Sequence, residues 1–194
     1  MSERAFVIAD GENLVLRYQE LLARGKQPDA STVHERDLFV WHEQITMVRR
    51  MDVVRASYYT TCVGDETKLA EVHKKIASVT FKFVPGTPPG GRSGRLCPYI
   101  FKKGQRSAKT KSVDINITID ALRHTYNGSL DILYLLTGDG DYVPLIQEVM
   151  RQGKKVIVGA FSAGLNDQLS HIADGFIDLD QLMLAKETAP RGDK

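Results

Sequence analysis

The stretch LLTGDGDYVPLI (135–146) runs an apolar segment straight into two aspartates, Asp139 and Asp141, with a glycine on each side of the first. Extended backwards it becomes LDILYLLTGD (130–139), a short apolar run ending in a polar turn. That is the mark of a strand buried on both faces, as in a parallel sheet. Extended forwards it becomes DYVPLIQEVMRQG (141–153), which opens on Asp, carries Pro144 in its first turn and closes on Gly153, as a helix does. RAFVIAD (4–10) repeats the buried-strand pattern and ends on Asp10.

The same two periods alternate through the rest of the chain. DVVRASYYTT (52–61), VTFKFV (79–84) and KKVIVGAF (154–161) are rich in β-branched and aromatic residues and read as strands, with a short last strand at FIDL (176–179) followed by a terminal helix. ERDLFVWHEQITMVRRM (35–51) places Leu38, Trp41, Ile45 and Val48 at spacings of three and four, which predicts a helix; DETKLAEVHKKIA (65–77) does so with Leu69, Val72 and Ile76. Strands alternating with helices predict one doubly wound α/β domain over residues 1–184, with 185–194 as a frayed tail.

Of the 194 residues, 42% are hydrophobic and 26% charged, enough to bury a core. Cys62 and Cys97 are too few for a disulfide framework or a cysteine zinc site and suit a reducing cytosol. No apolar run approaches the roughly 18 residues of a membrane span, and the N-terminus does not read as a signal peptide, so a cytoplasmic protein without membrane contact is expected. The five histidines show no HxxxH pairing, and GDGDYV lacks the third glycine of a dinucleotide fingerprint.

The net charge of +2 hides an asymmetry. Between Glu71 and Asp114 there is no acid but ten lysines and arginines, which leaves −8 for the remainder. Within that window, residues 85–111 hold four of the seven prolines and five of the sixteen glycines, a basic insertion too long for an ordinary connection. Cations interleaved with aromatic rings suit a single-stranded nucleic acid, the charges tracking phosphates while a ring stacks on a base. Arg92, Arg95, Lys102, Lys103, Arg106 and Lys109 are the candidate phosphate contacts and Tyr99 the stacking candidate; a solvated loop with its aromatics in the core is the alternative.

In an open parallel sheet, ligands bind at the carboxyl ends of the strands near the switch in strand order. Asp10 and Asp139 end two strands, Asp141 follows at a helix start, and Asp114 opens the helical stretch KSVDINITIDAL (111–122). Asn13 lies three residues after Asp10, where its amide can join them. Carboxylates gathered at one edge raise one another's pKa, a cost that a cation removes. Oxygen-only ligands point to Mg²⁺ or Mn²⁺ rather than Zn²⁺, and two such ions about 4 Å apart activate water for phosphodiester hydrolysis. The glycines flanking Asp139 would let that turn approach the metal and phosphate closely. Ordinary turn and cap chemistry is the competing reading of GDGD, with Asp141 as a simple helix cap. Asp120, about 120° around the helix from Asp114, fits a site role or a structural one equally. Glu12 is expected to face solvent.

VIADGENL (7–14), KSVDINITIDAL (111–122), LLTGDGDYVPLI (135–146) and GKKVIVGAF (153–161) together resemble the NYN domain family, a branch of the PIN-like metal-dependent ribonucleases. The resemblance implies a three-layer α/β/α, Rossmann-like fold with a mainly parallel sheet, and a pocket that binds Mg²⁺ or Mn²⁺ and cleaves RNA, single-stranded or structured. Asp10, Asp114, Asp139 and Asp141 match the family's acidic, metal-holding positions, Asn13 the asparagine of its first motif, and Asp120 the second acid of its helix. Thr137 matches a small hydroxyl residue expected to orient water or phosphate, Lys111 a lysine expected near the scissile phosphate, and Tyr142 an aromatic expected for packing. A catalytically silent RNA-binding regulator of the same fold is the alternative. PIN-like domains often pair, and the face bearing Leu38 and Trp41 reads either as a homodimer surface or as core.

Overall fold

The computed structural model describes residues 3–49, 51–82, 93–103 and 112–186. The first half runs β1 (Arg4–Asp10), α1 (Gly11–Ala23), β2 (Val33–Glu35), β3 (Phe39–Trp41), β4 (Asp52–Cys62), α2 (Glu66–Ser78), β5 (Thr80–Lys82) and β6 (Ser93–Arg95). The second runs β7 (Cys97–Lys102), α3 (Ser112–Tyr126), β8 (Ile132–Leu136), α4 (Val143–Arg151), β9 (Lys155–Ala160), α5 (Asp167–Ile172), β10 (Gly175–Asp178) and α6 (Asp180–Met183).

Among the described residues, six strands pair in parallel in the order β10-β9-β8-β1-β4-β7. The chain winds outward from β1 in one direction through β4 and β7, then returns beside β1 and winds the other way through β8, β9 and β10. The switch point therefore lies between β1 and β8, where Ile8 stands opposite Leu135 and Ala9 opposite Leu136. Apolar residues alternate between two cores. Ala5, Val7 and Ala9 of β1 and Tyr134 and Leu136 of β8 pack on the α1 side with Leu14 and Tyr18. Phe6, Ile8, Leu133 and Leu135 pack on the other side with Val113 and Ile117 of α3 and Ile146 of α4. A strand clad on both faces has to be apolar at nearly every position, which is why β8 reads as a continuous apolar run. The expected three-layer α/β/α arrangement is what forms.

One local expectation fails. Residues 35–51 form no long helix: β2 and β3 make an antiparallel hairpin through Asp37, whose φ of +58° breaks a helix, and a 3-10 turn follows at Glu43–Thr46. Phe39, Val40 and Trp41 are consecutive and all buried, and the Val40 N–H donates to the Tyr58 hydroxyl (3.2 Å), a partner on β4 that periodicity does not reveal. Leu38 and Trp41 accordingly belong to the core, not to a homodimer surface. The described part of the basic insertion is also ordered structure. β6 pairs antiparallel with β5, and β7 is the edge strand of the main sheet, with Tyr99 opposite Tyr59.

Candidate functional site at the β1–β8 switch point

Asp10 ends β1 and caps α1, one carboxylate oxygen accepting from the Asn13 N–H (3.1 Å). The helix can start this close to the sheet because residue 11 is glycine. A Cβ there would fall 2.3 Å from the Tyr58 ring and 2.7 Å from the Tyr59 carbonyl oxygen. The second oxygen of Asp10 accepts from the Thr137 hydroxyl (3.2 Å), and that hydroxyl accepts from the Asp139 N–H (3.2 Å). The Asn13 side-chain oxygen accepts from the Gly138 N–H (2.9 Å). Two segments more than a hundred residues apart are thus laced into one hydrogen-bonded unit across the switch point.

Asp139 in turn caps the short 3-10 turn Gly140–Tyr142, accepting from the Asp141 N–H (3.0 Å), and Asp141 itself is exposed. Gly138 and Gly140 face the segment after β9 rather than open space: a Cβ on the first would lie 3.2 Å from the Gly164 carbonyl oxygen, and one on the second 2.1 Å from the Asn166 amide. Loop packing, not room for a phosphate, is what these glycines serve. Asp114 stands in the first turn of α3 and accepts from the Tyr142 hydroxyl (3.1 Å), so Tyr142 is more than packing.

Electrostatically, Asp10 is strongly perturbed. Its carboxyl is buried, 4% exposed, and its pKa is pushed up to about 7, first by loss of solvent and further by the Asp114 and Glu12 charges, against the Asn13 and Thr137 hydrogen bonds. Burial, then the charges of Asp10 and Asp114 and the bond to Asp114, drive the Tyr142 phenol far above its usual range; it stays a neutral donor.

The other expected site residues are placed as follows. Asp120 is turned to the sheet, accepting from the Tyr59 hydroxyl (2.6 Å), a bond that docks α3 on β4, and from Arg123 (2.7 Å) one turn along its own helix. Tyr99 lies flat on Tyr59, with ring centroids 4.6 Å apart and planes 5° from parallel. Lys102 is exposed with its ammonium 4.0 Å from Glu66, and Arg95 is exposed on β6. Lys111, Arg92, Arg106 and Lys109 lie outside the described residues. Glu12 corrects its expectation. It is half-buried, accepting from the Thr61 hydroxyl and from the Lys103 ammonium (3.1 Å), which brings one cation of the basic segment to the residue two after Asp10. Thr61 and Tyr59 were not legible as site neighbours, because β4 carries no sequence signal for the edge it meets.

Among the described residues no three acids, histidines or cysteines are grouped so as to hold an ion by themselves, so four carboxylates do not close a protein-only cage. The donors that do meet here offer oxygen: the Asp10 carboxylate and the Thr137 hydroxyl bonded to it, with the Asp114 charge close enough to act on Asp10. That set fits Mg²⁺ or Mn²⁺, since Mg²⁺ is characteristically held by one or two carboxylates and keeps several waters. No described helix is long and apolar enough to cross a membrane.

Comparison with known proteins gives three matches. An uncharacterized protein of Methanocaldococcus jannaschii is 31% identical over 90 residues, 46% of this chain and 38% of that protein, so the chain matches well under half of that relative's length. The crystal structure of a Vibrio parahaemolyticus protein of unknown function superposes with a TM-score of 0.62 at 20% identity, covering 95% of this chain and 97% of that one, which is agreement of fold. The NYN domain, a generally nuclease-like domain of the PIN-like superfamily whose members typically use divalent metals, matches residues 4–180. With that match spanning nearly its whole length, and the fold in accord, this chain belongs to the NYN domain family.

Proposed function

We propose that the protein is a Mg²⁺- or Mn²⁺-dependent ribonuclease that hydrolyses RNA phosphodiester bonds at the β1–β8 switch point. The observation that carries this is Asp10, a carboxylate sunk out of water beside Asp114, whose ionisation the fold penalises and a bound cation would offset. Asp10 and Asp114 are the inner ligands in this reading, with Asp139 and Asp141 reached through water or on substrate binding. A bound divalent ion supplies an activated water and positive charge for the leaving oxygen. The chain's own groups do the rest. Thr137 and Asn13 fix the Asp10 carboxylate and the Gly138–Asp139 backbone rather than touching the phosphate, and Tyr142 holds the Asp114 carboxylate. Lys111 is assigned to offset charge on the phosphate.

End-labelled single-stranded RNA incubated with the protein in Mn²⁺, Mg²⁺ or EDTA tests the reading, with Asp139→Asn alongside. Metal-dependent cutting that the variant loses supports it; equal cutting by the variant removes Asp139 from the site. The absence of a three-acid group among the described residues favours one second reading, an RNA-binding protein without turnover. RNA retained but uncut under both metals selects that reading.

A further inference from the structure

Beside the acidic edge lies a groove of about 590 Å³. One wall is α1, beginning with Gly11 and Glu12 immediately after Asp10 and continuing through Val15 and Leu16. The facing wall is the carboxyl end of β4, Thr60 to Cys62, with Val63 beyond it, and the β2–β3 turn closes the far end. Its location is set by topology: β4 is the neighbour of β1 on the side away from β8, so the groove and the acids share one edge of the sheet.

Three features describe what would fit. Leu16 and Val63 both line the groove and, at 59% and 51% exposed, offer apolar surface from its two walls. Lys103 and Lys68 also line it, and Lys103 is held there by Glu12, which the Thr61 hydroxyl fixes in turn. The lining carries both signs, since Glu35 and Asp37 stand with Arg36 at the hairpin end. Balanced charge does not suit a polyanion lying along the whole groove. It suits one nucleotide, a neutral base on the aliphatic floor with its phosphate at the lysine rim.

We infer that this groove is a nucleotide subsite, receiving the base of the RNA residue that flanks the scissile phosphate, between Leu16 and Val63, with Lys103 meeting its phosphate. This rests on the ribonuclease reading of the neighbouring acids. Lys103 is the sole member already expected from sequence to contact nucleic acid. The walls that would select the base belong to α1 and β4, and Glu12 acts as the positioning residue that holds the lysine.

The experiment is done in EDTA, so that binding is read without cleavage. Single-stranded RNA carrying 4-thiouridine is photo-crosslinked to the 194-residue chain and the crosslinked peptides are mapped by mass spectrometry, with affinity measured in parallel for Leu16→Gln, Lys103→Met and Val54→Gln. Leu16 and Val54 are both exposed, so either substitution leaves the core untouched. The expected result is crosslinks within residues 11–19 or 60–68, binding weakened roughly threefold to tenfold by Leu16→Gln and by Lys103→Met, and no change for Val54→Gln. RNA that binds and is cut in Mn²⁺ but crosslinks elsewhere, or binds both groove variants like wild type, overturns the subsite and leaves the nuclease intact. Wild-type protein that neither binds nor cuts RNA overturns both.

Discussion

Replacing Asp10 with Asn should make the metal-free protein more stable at alkaline pH and leave it unchanged in acid. Asp10 has an ordinary carboxyl pKa of 3.8 when unfolded and about 7 when folded. The folded state therefore holds a proton that the unfolded state releases, and stability is fully present below pH 4 and lost as pH rises through 7. A gap of about three units at 1.36 kcal/mol each makes that loss about 4 kcal/mol by pH 8. Asn keeps the shape and the acceptor for the Asn13 N–H, and its amide can donate to the Thr137 oxygen, so the variant escapes the loss without opening a cavity. Urea unfolding of both proteins in EDTA from pH 4.5 to 8.5 reads the difference, in which all other titrations cancel. The variant should gain about 3 kcal/mol on wild type across that range, since about 1 kcal/mol is already lost at pH 4.5, and Mn²⁺ at pH 8 should narrow the gap, because an ion held by the ionised carboxylate stabilises folded wild type alone. Parallel curves, with a gap that changes by less than about 1 kcal/mol, would show that Asp10 ionises in the fold without penalty and would refute the reasoning.

Three further outcomes follow from single contacts. Tyr142→Phe removes the hydroxyl that Asp114 accepts from, and should weaken Mn²⁺ binding by about tenfold in calorimetry with little change in the unfolding midpoint; unchanged affinity would return Tyr142 to packing alone. Gly11→Ala drives a methyl into the Tyr58 ring and the Tyr59 carbonyl and should cost roughly 1–3 kcal/mol or more in urea unfolding, whereas a wild-type midpoint would mean that the start of α1 can shift. Asp120→Asn should lower stability by about 1 kcal/mol while RNA cutting stays within about threefold of wild type; loss of cutting in a folded variant would return Asp120 to the site.

The sequence by itself determined the elements that repeat a strong period. The buried strands β1, β4, β8 and β9 and the helices α2, α3 and α4 show there, because a strand clad on both faces must be apolar throughout and a surface helix must turn one stripe inward. It also showed which acids end strands, and hence which would meet at one edge of a parallel sheet. What only the tertiary structure decided is how far each polar group is from water and which partner it finds. The spacing of Leu38, Trp41, Ile45 and Val48 suits a helix, yet burial of Phe39, Val40 and Trp41 together, with Tyr58 meeting the Val40 N–H, selects a hairpin. The Gly/Pro-rich insertion contributes the edge strand β7 because β4 offers it an open edge, which no local propensity encodes. Asp10 and Asp139 look alike in sequence, each an aspartate after an apolar run. One is 4% exposed, its pKa raised by burial, while the other stands in the loop after its strand, and that difference in depth is not carried by the local sequence. Periodicity is a property of neighbours along the chain, whereas desolvation and hydrogen-bond partnership depend on neighbours in space.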